Sequence, residues 1–192
     1  MQRCGWVTQD PLYLTYHDTE WGVAQRDGKK LFEMICLEGQ QAGLSWITVL
    51  KKRGNYRAAF HQFDPERVAA MSAEDVEILL QNAGIIRHRG KIEAIIGNAR
   101  AYLAMAQNGE SFSEFVWGFV DNTPQITQAA TLGEIPTSTA ASDALSKALK
   151  KRGFKFVGTT ICYSFMQACG LVNDHITGCF CHPGGMHDPR VA

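Results

Sequence analysis

Cysteine and histidine gather at two places far apart in the chain: Cys4 and His17 early, then His175, Cys179, Cys181, His182 and His187. Thiolate and imidazole together suit tetrahedral zinc, and three residues between His175 and Cys179 is a spacing that ligand pairs use. Cys4, His17, His175 and Cys179 would supply four ligands and leave no open position. One Zn2+ held there is therefore expected to be structural, fastening residues 1–20 to residues 173–182. Cys181 and His182 compete for the second half of the set. Cys36, Cys162 and Cys169 fall on apolar helix faces and read as small buried hydrophobes. No apolar signal region follows Met1, so a reducing, cytoplasmic setting is expected, where metal ligation or burial outranks disulfides.

A second concentration of chemistry lies in the first 50 residues. Trp6, Tyr13, Tyr16, Trp21 and Trp46 are five of the chain's nine Trp and Tyr residues. From Trp6 to Gly22 the aromatics neither alternate nor recur cleanly at helical spacing, which makes poor core and suitable pocket wall. Glu38 then interrupts an apolar helix end in Leu37-Glu38-Gly39-Gln40-Gln41-Ala42-Gly43-Leu44-Ser45-Trp46. A carboxylate there is costly to bury without partners or a task. Capping the next helix, pairing with an arginine, and serving the aromatic pocket are its three open uses.

The elements that must position these groups read almost entirely as helix. Leu31, Phe32, Met34, Ile35 and Leu37 recur at helical spacing, as do Val76, Leu79 and Leu80, then Ile92, Ile95, Ile96, Ala99 and Leu103. Asp64-Pro65 is an N-cap followed by proline, and Ser72 with Asp75 resembles a capping box. Gly84, Gly109 and Gly170 are placed to end helices in the left-handed conformation. Convincing strands are absent, so the expected fold is all-α, one domain over residues 1–192, with residues 122–141 as the long connection. No run of 18 apolar residues occurs, and no membrane partner is expected.

A helix is expected from Ser142 to Arg152, with Ala144, Leu145, Ala148 and Leu149 inward and lysines outward. Gly153-Phe154-Lys155-Phe156-Val157-Gly158 joins it to a second helix beginning at Thr159. Gly158 followed by Thr159 as N-cap would aim free backbone N–H groups outward, a natural phosphate site, with Lys155 adding charge. Nineteen basic and nineteen acidic residues leave no net charge, which excludes a crude polyanion binder. The five basic residues between Asp143 and Thr160 still make one face able to grip a few phosphates.

Residues 142–170 resemble the helix-hairpin-helix motif of DNA repair glycosylases, whose hairpin holds a phosphate without reading sequence. Lyase members place a lysine at the start of the second helix. Thr159 and Thr160 stand there instead, implying no strand cleavage. The resemblance sharpens at Cys4-Gly5-Trp6, at Tyr13, Tyr16-His17-Asp18 and Glu20-Trp21-Gly22, at residues 37–46, and at Asn173-Asp174-His175. Together these resemble the DNA-3-methyladenine glycosylase I family over residues 3–179.

The resemblance implies two helical lobes around a base pocket and hydrolysis of the N-glycosidic bond of N3-methyladenine in double-stranded DNA. It makes Glu38 the essential carboxylate, Trp46 and Tyr13 the stacking surfaces, Tyr16 a polar contact, and Trp6 and Trp21 walls. Leu44, beside Gly43, is either the wedge that fills the space left by a flipped base or ordinary core. Asp174 reads as a support for the metal ligand His175, or as structural, ahead of catalysis. A monomer is expected. Two alternatives remain: a non-catalytic zinc-stabilised damaged-DNA-binding module, and a helical adaptor whose aromatics form a protein interface.

Overall fold

The computed structural model describes residues 1–184, which form nine α-helices and one pair of two-residue strands. Helix α1 (Pro11–Thr19) starts where the Asp10 carboxylate accepts from the N–H groups of Leu12 and Tyr13. Helix α2 (Gly28–Gln40) buries Leu31, Phe32, Ile35 and Leu37. Burial of each such side chain is worth roughly 1.5–3 kcal/mol. Helices α3 (Trp46–Ala59), α6 (Arg89–Gln107), α7 (Phe112–Trp117) and α9 (Thr159–Ala168) all pack on α2, which makes it the hub of the core. Between them, α4 (Pro65–Ala69) and α5 (Ala73–Leu79) begin at the predicted Asp64 cap and Ser72–Asp75 box, and both pack on α6.

Helix α8 (Ala140–Lys151) begins two residues before the predicted start, because Thr139 and Ser142 form the capping box. Its buried face is Ser142, Leu145, Ser146 and Leu149, whereas Ala144 is exposed. Hydroxyls can face inward here because the hairpin satisfies them. Ser146 Oγ donates to the Val157 carbonyl at 2.6 Å, and Ser142 Oγ lies 2.8 Å from Thr159 Oγ1. Of the three glycines predicted to be left-handed, Gly109 and Gly170 are, and Gly84 is not. Gly84 instead sits in a turn held by Asn82 Oδ1, which accepts from its N–H at 2.8 Å. At Gly170 a Cβ would fall 2.4 Å from the backbone of Val23 and Ala24, so no other residue fits.

The all-α expectation misses one feature. Strand β1 (Gln125–Ile126), inside the long connection, pairs in parallel with β2 (Val172–Asn173), register Gln125 to Val172. That short ladder anchors residues 122–139 beside the segment that carries Asp174 and His175. Both strands are too short to show alternation.

Candidate active site and metal centre

A cavity of about 320 Å³ is walled by all five aromatics singled out above, Trp6, Tyr13, Tyr16, Trp21 and Trp46, with Glu38 among them. Trp6 lies 5.0 Å from both Tyr13 and Trp21 between ring centroids, and Tyr16 lies 5.7 Å from Trp46. The Trp6–Gly22 stretch shows no clean period in sequence, yet its centre folds as α1. One turn of that helix puts Tyr13 and Tyr16 on the cavity side, so the helix packs rings around a space rather than aliphatics into a core.

Glu38 sits near the C-terminal end of α2 and is 2% exposed. No arginine pairs with it, it caps no helix, and its Oε2 has no hydrogen-bond partner among the described residues. Both structural uses are therefore removed. Burial alone pushes its carboxyl up to about 8. Tyr13 and Tyr16 are raised too, by burial first and by the Glu38 charge second. Burial in the cavity therefore disfavours negative charge on all three groups.

Buried polar atoms normally find partners. Among the described residues, those without one are Trp6 Nε1, Glu38 Oε2, Gln41 Oε1, Trp46 Nε1 and Asp174 Oδ1. Four of the five belong to residues lining this cavity. That concentration marks a polar, aromatic-sized ligand as what the site is shaped for.

The far wall was not anticipated. Thr160, Tyr163, Ser164 and Gln167 face the cavity from α9, and Leu132, Ile135, Pro136 and Thr137 close it from the long connection. The i, i+3, i+4, i+7 spacing of the α9 set is readable in sequence as a polar stripe on an apolar helix. The connection carries no such signal. No lysine lines the cavity.

The predicted metal ligands come together. One donor atom from each of Cys4, His17, His175 and Cys179 lies within 4.8 Å of the others, and all four residues are buried. Cys179 Sγ is 3.5 Å from His17 Nε2 and 3.4 Å from His175 Nδ1, and Cys4 Sγ is 3.5 Å from His175 Nδ1. A tetrahedral ion with Zn–S of about 2.3 Å and Zn–N of about 2.05 Å has S···N edges of about 3.5 Å, so the donor set fits. The remaining ring nitrogens are oriented by protein acceptors: His17 Nδ1 lies 2.7 Å from Asp18 Oδ1, and His175 Nε2 lies 2.9 Å from the Trp21 carbonyl.

Of the two rivals, Cys181 groups with His17 and Asp18, and His182 Nε2 is 3.0 Å from the Thr127 carbonyl; His187 lies outside the described residues. Asp174 does not support His175. Its Oδ2 accepts from the Tyr163 hydroxyl and from Gln167 Nε2, at 2.8 Å for the latter. The carboxylate beside a histidine of the cluster is instead Asp18, against His17.

Between Gln41 and Trp46 of the cavity lining, Leu44 is 42% exposed, which removes the core reading, and Gly43 at φ +77° makes the sharp turn before it. In the hairpin, Gly158 itself is the N-cap of α9. Thr159 is the first helical residue, and its hydroxyl donates to Asp143 Oδ1 at 2.6 Å, so only its backbone N–H is offered outward. Gly153 turns at φ +92°, and Lys155 is exposed while its backbone is clamped by Asn98, which accepts from the Lys155 N–H at 2.8 Å. Phe156, at φ +55°, presses on Gly39, where a Cβ would lie 3.1 Å from the Phe156 Cβ and carbonyl oxygen. The hairpin thus rests directly on the residue after Glu38.

The chain resembles known proteins over nearly its whole length. The sequence model of the methyladenine glycosylase family matches residues 6–182. The chain is 80% identical to DNA-3-methyladenine glycosylase 1 of Escherichia coli (strain K12), over 96% of this chain and 98% of that one. A crystal structure of a 3-methyladenine DNA glycosylase I superposes with a TM-score of 0.94 at 82% identity, covering 95% of this chain and all of the other. A variant of such an enzyme in complex with 3-methyladenine gives 0.92 at 42% identity, covering 96% and 100%.

Proposed function

Because the chain belongs to the methyladenine glycosylase family, we propose that it excises N3-methyladenine from double-stranded DNA as a monofunctional, monomeric, cytoplasmic enzyme of one domain. The observation that carries this reading is Glu38, a buried carboxyl without a partner inside a cage of aromatic rings. A methylated, cationic purine satisfies both at once. Its N–H edge donates to Glu38, and its charge stacks on Trp46 and Tyr13, worth roughly 0.5–2 kcal/mol per contact. Tyr16 adds a polar contact, and Trp6 and Trp21 hold the ring in place. Neutral adenine gains less from each of these contacts.

The base reaches the cavity by leaving the duplex, with Leu44 on the Gly43 turn filling the gap. The α9 N-terminus, Gly153, Lys155, Gly158 and the Thr159 N–H hold phosphate in the manner of a helix-hairpin-helix. The glycosidic bond then breaks with its electron pair moving onto the ring, which neutralises the cation. A water oxygen joins the sugar carbon, releasing a proton and leaving an abasic site. The absence of a lysine from the cavity lining supports hydrolysis without a Schiff-base lyase step. Zn2+ at Cys4, His17, His175 and Cys179 would act structurally, by fixing α1 and with it Tyr13 and Tyr16.

The test is release of free 3-methyladenine from methylated duplex DNA by the purified protein. Wild type releases the base and leaves strands intact until alkali is added, and Glu38→Gln loses most of the activity. Binding of methylated DNA without release would favour the non-catalytic module. Full activity in Glu38→Gln with loss in Asp174→Asn would move the catalytic role to Asp174.

A further inference from the structure

Behind the α9 wall lies a group that the reading above does not use. Asp174 is fully buried, two of its neighbours line the cavity, and its Oδ1 has no partner. Its Oδ2 accepts two hydrogen bonds, from the Tyr163 hydroxyl and from Gln167 Nε2. An acceptor at that point decides which way both neighbours are polarised. The Gln167 amide spends its NH2 on Asp174, which leaves its carbonyl oxygen as the end free for a ligand. The Tyr163 hydroxyl spends its one proton inward and keeps only lone pairs. Burial, reinforced by the bond to Asp174, raises Tyr163 well above the ordinary phenol value, so that proton stays where it is.

We propose that Asp174 is a positioning residue that sets the hydrogen-bond polarity of the cavity, turning Tyr163 and Gln167 into acceptors that select a donor-rich purine. The inference rests on the glycosylase reading. With Glu38 and the Gln41 carbonyl oxygen, the wall then offers acceptors to the amino edge of a methylated adenine and lone-pair repulsion to purines that present a carbonyl there. Asp174 touches no reacting atom; it acts through the two side chains it holds.

Titration with free 3-methyladenine, followed by calorimetry, tests this. Asp174→Asn swaps one carboxyl oxygen for a donor, which reverses the Gln167 amide. The affinity should fall about tenfold, with the melting temperature and metal content kept near wild type. Adding Gln167→Glu in that background restores an acceptor facing the cavity and should recover binding to within about threefold of wild type. Unchanged affinity in Asp174→Asn, or a folded double variant with no recovery, overturns the proposal. If Asp174→Asn does not fold, Gln167→Met at its half-buried position decides: about tenfold weaker binding supports the proposal and wild-type binding overturns it. Wild type that neither binds nor releases 3-methyladenine would instead refute the glycosylase reading.

Discussion

Glu38→Gln should stabilise the protein, and by an amount that grows with pH. The Glu38 carboxyl, ordinarily near 4.5, is pushed up to about 8 by burial. Below pH 4.5 it is protonated whether the chain is folded or unfolded, and ionisation costs nothing. Between 4.5 and about 8 the unfolded chain releases the proton while the folded chain retains it. Each pH unit in that window lowers stability by about 1.36 kcal/mol. Summed, the penalty is about 1 kcal/mol at pH 5, about 3 at pH 7 and about 5 at pH 9, where it has levelled off. A neutral amide avoids it. Tyr13 and Tyr16 feel the Glu38 charge, but as phenols raised by burial they stay protonated across this range, and groups away from the cavity cancel in the difference.

Urea unfolding of wild type and variant at those three pH values measures the effect. At pH 7 the variant should also melt higher by about 6–12 °C, from about 2–4 °C per kcal/mol for a chain of this size. A pH-independent difference, or a variant less stable than wild type at pH 9, would refute the argument that Glu38 is held without compensation. The site is then one where stability is given up for function.

Four further outcomes follow from the geometry. On the role proposed for Glu38, ionisation precedes receipt of a cation, so kcat/KM on methylated DNA should climb about tenfold per pH unit below about 8 and level off above, a limb missing from any residual Glu38→Gln activity. Wild type should carry one equivalent of zinc by elemental analysis and Cys4→Ser well under half; less than one equivalent in both would end the metal assignment. Leu44→Ala should cut excision from duplex DNA about tenfold or more and leave calorimetric affinity for free 3-methyladenine unchanged, with equal losses in both assays excluding a wedge. Gly39→Ala drives a methyl against Phe156 and should cost about 1–3 kcal/mol in urea unfolding while weakening DNA binding, because the hairpin rests there.

What the sequence discloses here depends on whether a role leaves a pattern. The four candidate metal ligands stand out because thiol and imidazole are few and serve few purposes. Helices α2, α5 and α6 show themselves because they bury aliphatics at the helical period. Helix α1 does not, since Tyr13 and Tyr16 line a cavity and His17 joins a Cys/His cluster, and neither demands apolar periodicity. The start of α8 was misplaced because Ser142, read as its first residue, is instead the third residue of its capping box and a buried partner of Thr159. Asp174 reads in sequence as a support for its neighbour His175 or as structural, and the chain turns its side chain onto Tyr163 and Gln167 of the α9 stripe, a pairing no local pattern shows. Leu132 and residues 135–137 reach the cavity only through the β1–β2 pairing, which no local pattern announces.

The cluster of Cys4, His17, His175 and Cys179 also orders events during synthesis. Cys4 and His175 are 171 positions apart, and closing a loop of that length costs about 4–5 kcal/mol of chain entropy. The ribosome makes Cys4 and His17 early, and they must wait for His175 and Cys179 before the four side chains can meet. A nascent chain can build α2, α6 and much of the aliphatic core while its aromatic cage still gapes. Competence to cut a base from DNA therefore arrives at once and late, so a polypeptide whose synthesis stops short of residue 175 would carry no cage able to attack the genome.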